Sequence, residues 1–150
     1  DALNRINPDF IRVRTLSVRS GTPLAEKITS GEFERQTEEE VVREERLLIE
    51  LLEATSFFMS DHMVNLLMDV NGKLPRDKDK MLRVIDTYLV LSPDEKRNFS
   101  VGRRLGYYYS LRDFRDDAAA REKVEEIVAA VVSQGTDPEH VVHRLMEQMI

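Results

Sequence analysis

Three consecutive polar residues, Ser60, Asp61 and His62, interrupt a stretch of the sequence that is otherwise apolar. An imidazole that is oriented by a neighbouring carboxylate can act as a general acid, a general base or a ligand donor, so a substrate-facing role is one interpretation. The other interpretation is structural: Ser60 or Asp61 caps a helix that starts here in a partly buried setting, and His62 is a satisfied neighbour. A hydrolytic triad is a poor interpretation, because no glycine-rich nucleophile elbow surrounds Ser60.

Two arginines, Arg12 and Arg14, alternate with apolar or small residues in the segment 9–18. This period of two predicts a β-strand that carries both guanidinium groups on one face. If that face lines the interior of a barrel, the buried arginines need anionic partners, either protein carboxylates or groups of a ligand. Ligand contact and structural ion pairing both remain open at this point.

A further candidate is the pair His140 and His143, three residues apart in the last predicted helix. Two imidazoles at this spacing share a helix face and can donate to a metal ion. A usable site also needs a third ligand and supporting hydrogen bonds, which the sequence does not identify. We therefore interpret both histidines as surface residues and predict no metal site.

Helix signals dominate the sequence after residue 20. Thr22 followed by Pro23 predicts the start of a short helix that Gly31 ends. Capping-box patterns at 37–40 and 92–95 predict the starts of two longer helices. With the apolar spacing, these signals predict helices over about 37–55, 77–91, 93 to near 106, 116–133 and from 138 onward.

The strand predicted at 9–18 stands apart, because no convincing partner strand follows it. Asn71-Gly72 predicts a turn, and the spacing does not decide between helix and extended structure for 61–67. A lone strand cannot satisfy its own ladder hydrogen bonds and needs a sheet to join. We therefore expect the chain to be a piece of a larger protein, beginning inside a β/α domain.

The 150 residues carry a formal net charge of −6, with a pI near 5.2, and contain no cysteine. An acidic chain with dispersed basic residues gives no electrostatic footprint for nucleic acid, so no nucleic-acid partner is expected. The lack of cysteine excludes disulfides, a cysteine nucleophile and thiolate-held zinc or iron–sulfur sites within these residues. No apolar run reaches the roughly 18–20 residues of a membrane span, so we expect no membrane partner and, by default, a cytoplasmic protein.

Several short motifs occur in an order and spacing that resembles a known family. They are Asn-Pro-Asp-Phe-Ile-Arg-Val-Arg-Thr-Leu at 7–16, Gly-Thr-Pro-Leu at 21–24, a Glu-rich helix, Ser60-Asp61-His62 followed by Asn65-Leu66-Leu67, and Val-Asn-Gly-Lys-Leu-Pro at 70–75. Together they look like the C-terminal portion of radical S-adenosylmethionine proteins, often called Fe–S oxidoreductases. The resemblance covers residues 1–92 and is weaker from Ser92 on.

The resemblance implies a mainly α fold: a helical, bundle-like C-terminal extension with one N-terminal β-strand left from a partial (β/α)6 barrel. Residues 1–35 would hold the last strand and helix of the truncated barrel, and residues 36–150 the helical extension. The extension would complete the barrel and cover its substrate end. The expected partner is therefore the N-terminal barrel of the parent chain, and we also expect the exposed strand to allow a homodimer.

The resemblance also implies the parent's chemistry. In the family, a three-cysteine motif near the start of the barrel holds a 4Fe–4S cluster, and S-adenosylmethionine completes its coordination. Reductive cleavage then yields a 5′-deoxyadenosyl radical that abstracts hydrogen from the substrate. This chain lacks those cysteines, so the resemblance implies no cofactor within it and no activity of the fragment alone.

Matched position by position, the residues that the resemblance places toward the barrel interior or the substrate end are Arg12, Arg14, Ser60, Asp61, His62 and Asn65. No catalytic residue is assigned. The alternative function comes from a different class of protein: a stand-alone helical interaction module that binds a partner protein through an apolar groove.

Overall fold

Residues 2–149, which are the residues that this computed structural model describes, contain eight helices and three short strands. In chain order they are α1 (Ala2–Ile6), β1 (Phe10–Arg12), α2 (Pro23–Thr29), α3 (Glu38–Leu51), β2 (Phe57–Met59), β3 (Asn71–Lys73), α4 (Lys78–Leu89), α5 (Pro93–Leu105), α6 (Leu111–Asp116), α7 (Ala118–Ser133) and α8 (Pro138–Glu147). The prediction of a mainly helical chain is confirmed. Within this range no helix combines the length and the apolar character needed to cross a membrane.

The three strands form one small sheet in the order β1-β2-β3. β1 and β2 run parallel, with Ile11 opposite Phe58, whereas β2 and β3 run antiparallel, with Phe58 opposite Gly72. Parallel neighbours need a long crossover connection, and here the segment with α2 and α3 supplies it. The prediction that the N-terminal strand has no partner within this chain, and is its one strand, is therefore wrong.

The lengths of the strands explain this error. The strand predicted over 9–18 ends at Arg12, and each strand has only three residues, too few to show a period of two. Asn71-Gly72, predicted to be a turn, lies within β3. A side chain at Gly72 would overlap Asp77, so the glycine permits the start of α4 to approach the sheet closely.

Local capping signals set the starts of α3 and α5. At the start of α3, the Thr37 hydroxyl accepts a hydrogen bond from the Glu40 backbone N–H, and the Glu40 carboxylate accepts one from the Thr37 N–H at 2.8 Å. Ser92 and Glu95 form the same reciprocal pair at the start of α5. Both predicted starts are confirmed, because a capping box is encoded within four consecutive residues.

The two faces of the sheet differ sharply in burial. Ile11 and Phe58 belong to the main hydrophobic core, with exposed fractions of 6% and 0%. On the opposite face, Phe10 and Phe57 are 64% and 45% exposed, and their rings stack with centroids 5.7 Å apart. One face of the sheet is therefore packed against helices and the other is open.

Four aromatic side chains hold α4, α5 and α6 together around the turn that follows α5. Tyr88, Phe99, Tyr108 and Phe114 lie with neighbouring ring centroids 5.3 to 6.1 Å apart. The Tyr108 ring packs so closely on α5 that any side chain at Gly102 would overlap it.

The division of the chain into two units at residues 35 and 36 stays a prediction.

Candidate functional site

Polar side chains gather where β1 and β2 end, at the carboxyl edge of the parallel pair. Asn65 is the centre of this arrangement and is only 3% exposed. Its side-chain oxygen accepts a hydrogen bond from the Thr15 N–H at 2.8 Å, and its Nδ2 donates to the Val13 carbonyl at 3.0 Å and to Ser60 Oγ at 3.1 Å. One amide thus joins the residues that follow the two strands.

Ser60 is completely buried directly after β2. Its backbone N–H donates to Asn71 Oδ1 at 2.8 Å, so the first residue of β3 also supports it. The Asn71 amide donates in turn to the Met68 carbonyl. These bonds fix the loop between β2 and β3, which consists of turns rather than of a helix.

Asp61 lies outside this buried cluster. Its carboxylate accepts a hydrogen bond from Arg12 Nη2 at 3.0 Å, and the two side chains are 39% and 54% exposed. The expectation that Asp61 or Ser60 caps a helix is wrong, because no helix begins in this segment. Arg12 is exposed in this chain, and Arg14, beyond the end of β1, is exposed as well, so the burial of these arginines inside a complete barrel stays a prediction.

His62 takes part in a local turn. Its Nδ1 accepts a hydrogen bond from the Val64 backbone N–H at 3.4 Å, while the hydrogen bond of Asp61 goes to Arg12. An imidazole oriented by Asp61 is therefore not formed here. Of the six residues predicted to face a substrate, the structure brings Ser60 and Asn65 into one cluster and Arg12 and Asp61 into another.

A carboxyl group that was not predicted completes the buried cluster. Glu45 projects from the middle of α3 toward Ser60, and its Oε1 is buried without a hydrogen-bond partner among the described residues. Burial raises the pKa of Glu45 to about 7, and the hydrogen bond with Ser60 only partly opposes this rise. A carboxyl with such a pKa exchanges its proton near neutral pH.

The sequence does contain a signal for Glu45. It lies three and four residues from Val42 and Val41 on one side, and from Leu48 and Ile49 on the other. At helical spacing these positions form the apolar stripe that faces the core. A carboxylate in the middle of such a stripe is a candidate for a functional group, but the many glutamates of α3 conceal it.

A cleft of about 450 Å³ opens beside Glu45, between α3 and the ends of β1 and β2. Its lining residues include Arg14, Val41, Val42, Glu44, Glu45, Leu47, Leu48, Ser60, Asn65 and Leu66. Apolar side chains from α3 thus form most of the wall, and the polar groups lie where the strands end. Volumes of 300 to 1,000 Å³ with mostly apolar walls are typical of small-molecule sites.

A buried ion pair holds the loop that carries Asn65. The Arg104 side chain, which is fully buried, pairs through Nη2 with Glu38 in the first turn of α3. Arg104 Nη1 also donates to the Met63 carbonyl at 3.3 Å. Through this arginine, α5 supports both α3 and the loop on either side of the cleft.

The two histidines of α8 lie elsewhere, in a cleft of about 750 Å³ between α8 and the segment around α2. His143 is half-buried, and this burial, with the nearby charge of Arg35, lowers its pKa. In residues 2–149 no group of three or more His, Asp or Glu side chains is arranged to hold a metal ion.

Comparisons of this chain with protein-family models, with curated proteins and with solved structures find no match.

Proposed function

We propose that this chain is a C-terminal accessory segment of a radical S-adenosylmethionine oxidoreductase, which continues the parent's parallel sheet through the outer edge of β1. The observation that carries the proposal is that this edge has no neighbouring strand among the described residues and that the adjoining face of the sheet, with Phe10 and Phe57, is exposed. The resemblance of residues 1–92 supports the family, and the hydrogen-bond geometry of β1 supports the mode of attachment.

Among residues 2–149, β1 pairs with a strand along one edge only. The Asp9 carbonyl accepts from the Phe57 N–H at 2.8 Å, and the Val13 N–H donates to the Met59 carbonyl at 3.0 Å. Because backbone groups alternate in direction along a strand, those of Phe10 and Arg12 point away from β2. A further parallel strand can pair with them without disturbing the sheet.

The unit β1-α3-β2 has the connectivity from which parallel barrels are built. In such barrels helices cover the outer face of the sheet, and the opposite face lines the interior. Here the helices cover the face of Ile11 and Phe58, so the face of Phe10 and Phe57 corresponds to the interior. Two adjacent, exposed aromatic rings suit a surface that the rest of a protein covers.

In this proposal the Arg12–Asp61 ion pair lies at the rim of the barrel, toward the substrate. Both side chains are exposed on this chain and are available to a substrate or to the parent. Ser60 and Asn65 instead hold the strand ends in place. The resemblance implies that β1 is the last strand of the barrel. In this proposal β2 follows β1 instead, and the antiparallel β3 ends the sheet.

The chain's own residues do not fit a cysteine-ligated cluster, because it contains no cysteine. The proposal therefore assigns the 4Fe–4S cluster and S-adenosylmethionine to the remainder of the parent. This segment would contribute sheet, cover and substrate contacts. Its location would be that of the parent, which we expect to be cytoplasmic.

The first experiment reads the open reading frame upstream of Asp1. A Cys-x-x-x-Cys-x-x-Cys motif after a predicted strand, roughly 150–250 residues earlier, is the expected result. Cleavage of S-adenosylmethionine by the reduced full-length protein then tests the parent's activity. If no such motif precedes the segment, the enzyme proposal fails and the stand-alone interaction module is the better account.

Hydrogen–deuterium exchange tests the attachment itself. The amides of Phe10 and Arg12 should exchange much more slowly in the full-length protein than in the 150-residue chain, because only the parent supplies a strand for this edge. The amide of Val13, bonded to β2, serves as the control and should be protected in both. Equal exchange of Phe10 and Arg12 in the two proteins would contradict attachment through this edge.

A further inference from the structure

We propose that the cleft between α3 and the carboxyl ends of β1 and β2 binds a primary ammonium group on an unbranched aliphatic chain, either a free amine or a lysine side chain. The ammonium would pair with Glu45, and the aliphatic part would lie along the apolar wall of α3. The cleft consists entirely of this chain's own residues, so the inference does not depend on the proposed parent.

The position of the cleft is the first argument. It lies where the parallel strands β1 and β2 end, with Val13 and Thr15 on one side and Ser60 on the other. In sheets with parallel strands, ligands bind at the carboxyl ends of the strands, because the chain leaves each strand there and side chains converge. The local geometry of this small sheet follows the same rule.

Hydrogen-bond capacity decides the chemistry of the ligand. Both N–H groups of Asn65 Nδ2 are used, by the Val13 carbonyl and by Ser60, and its oxygen is used by Thr15. The free capacity among the buried polar side chains of the cleft is therefore that of an acceptor, Glu45 Oε1. The part of the cleft around Glu45 therefore favours a ligand that donates a hydrogen bond and disfavours an anion.

A cation satisfies this acceptor better than a neutral donor. A carboxylate that is buried without a partner is costly, and a charge-assisted hydrogen bond from an ammonium offsets that cost. The raised pKa of Glu45 agrees with a carboxyl that lacks a cationic partner in the free chain. Arg14 and Glu44, both exposed and of opposite charge, line the cleft and leave its outer part without net charge.

The walls favour an aliphatic body over a polar one. Val41, Val42, Leu48 and Leu66 line the cleft with methyl and methylene groups. The volume of about 450 Å³ accommodates a lysine side chain or a short alkylamine with room for water at the open end. Burial of each methylene of the ligand adds to affinity without adding polar demands.

Titration of the 150-residue chain with n-pentylamine at pH 8, followed by NMR chemical shifts, tests the proposal. We expect saturable shifts of the amides around Glu45 and Ser60, and about tenfold weaker binding by Glu45→Gln, which removes the charge but keeps the shape. Glu53→Gln is the matched control, because Glu53 is exposed and lies outside the cleft lining, and it should bind as the native chain does.

Two further ligands sharpen the result. n-Pentanol has the same chain length without the charge and should bind about tenfold more weakly than n-pentylamine. Nα-acetyl-lysine methylamide separates the two sources of the ammonium: tighter binding than n-pentylamine supports a lysine side chain, and weaker binding supports a free amine. The proposal is wrong if the native chain shows no saturable binding of n-pentylamine, if n-pentanol binds as tightly as the amine, or if Glu45→Gln binds the amine with unchanged affinity. The comparison of amine and alcohol uses the native chain, so it decides the matter even if Glu45→Gln does not fold.

Discussion

Arg104 and Glu38 form a buried ion pair that joins the end of α5 to the first turn of α3. The arginine side chain has no exposed surface and the glutamate is only 10% exposed. Ser100 also donates a hydrogen bond to Glu38, and Arg104 reaches the carbonyl of Met63 in the loop between β2 and β3. The walls of the cleft beside Glu45 thus depend on a charge pair whose residues do not line the cleft themselves.

Removing one member of this pair should be costly. We expect Arg104→Met to lower the free energy of unfolding by about 3 kcal/mol or more, because Glu38 is left buried without its counter-charge. The double variant Arg104→Met with Glu38→Gln should recover part of this loss. Urea denaturation measures both. Arg43, which is exposed and pairs with Glu39, provides a control, since Arg43→Met should cost less than about 1 kcal/mol and leaves Glu39 paired with Lys96. Equal stability of the single and double variants would show that the charge of Glu38 is not the cause.

The pKa of Glu45 predicts an unusual dependence of stability on pH. Its value in the folded chain is about 7, above the ordinary 4.5, so the folded state holds the proton more tightly than the unfolded state does. This contribution to stability is fully present below about pH 4.5 and is lost as the pH rises through 7. We expect Glu45→Gln to match the native chain at pH 4 and to exceed its free energy of unfolding by up to about 3 kcal/mol at pH 8. Denaturation at both values checks this, and a difference that does not change with pH would contradict it.

Gly102 should be an exception to the rule that replacing glycine by alanine stabilises a helix. Alanine normally stabilises an exposed helix interior by about 1 kcal/mol relative to glycine. At Gly102, however, the added methyl group would overlap the ring of Tyr108, which is buried and donates a hydrogen bond to Asn98 at 2.8 Å. We expect Gly102→Ala to lower the free energy of unfolding by about 1–3 kcal/mol. The cost should shrink when Tyr108→Leu is present in both members of the comparison, and thermal denaturation of the four chains gives the coupling.

Asn65 should matter far more than its neighbour His62. Replacement by leucine leaves the Thr15 N–H, the Val13 carbonyl and Ser60 without their partner, at a cost of about 2–4 kcal/mol. Exchange of the Thr15 amide should become faster even where the chain remains folded. His62→Ala, which removes one weak local bond, is the control and should change stability by less than about 1 kcal/mol. Similar effects of the two substitutions would mean that Asn65 does not bridge the strand ends.

The parts of the fold that were predictable are those encoded locally. The capping boxes at 37–40 and 92–95 and the stop at Gly106 lie within single turns, and the structure has each of them. The sheet was missed because the pairing of β1 with β2 joins segments almost 50 residues apart, and three-residue strands carry no periodic signal of their own. Helix and turn chemistry is therefore readable, whereas strand pairing is not.

The candidate site divides in the same way. Ser60 and Asn65 attract attention as polar residues in an apolar stretch, but Asn65 also bonds to Val13 and Thr15, which follow β1 and lie about 50 residues away in the sequence. The partner of Arg12, Asp61, lies 49 residues away, which no spacing rule identifies. Glu45 could have been predicted as a candidate from its position in the apolar stripe of α3. The relationship to radical S-adenosylmethionine proteins stays a prediction.

The parallel pairing of β1 and β2 also sets an order of events in folding. The strands are separated by the whole of α2 and α3, so the chain must close a large loop before either strand gains a hydrogen bond from the other. Closing such a loop late, after α3 has formed, costs the least entropy. We therefore expect the hydrogen bonds of Asn65 to the residues after β1 and β2 to form last. Replacement of Asn65 should then speed unfolding while leaving the rate of folding nearly unchanged.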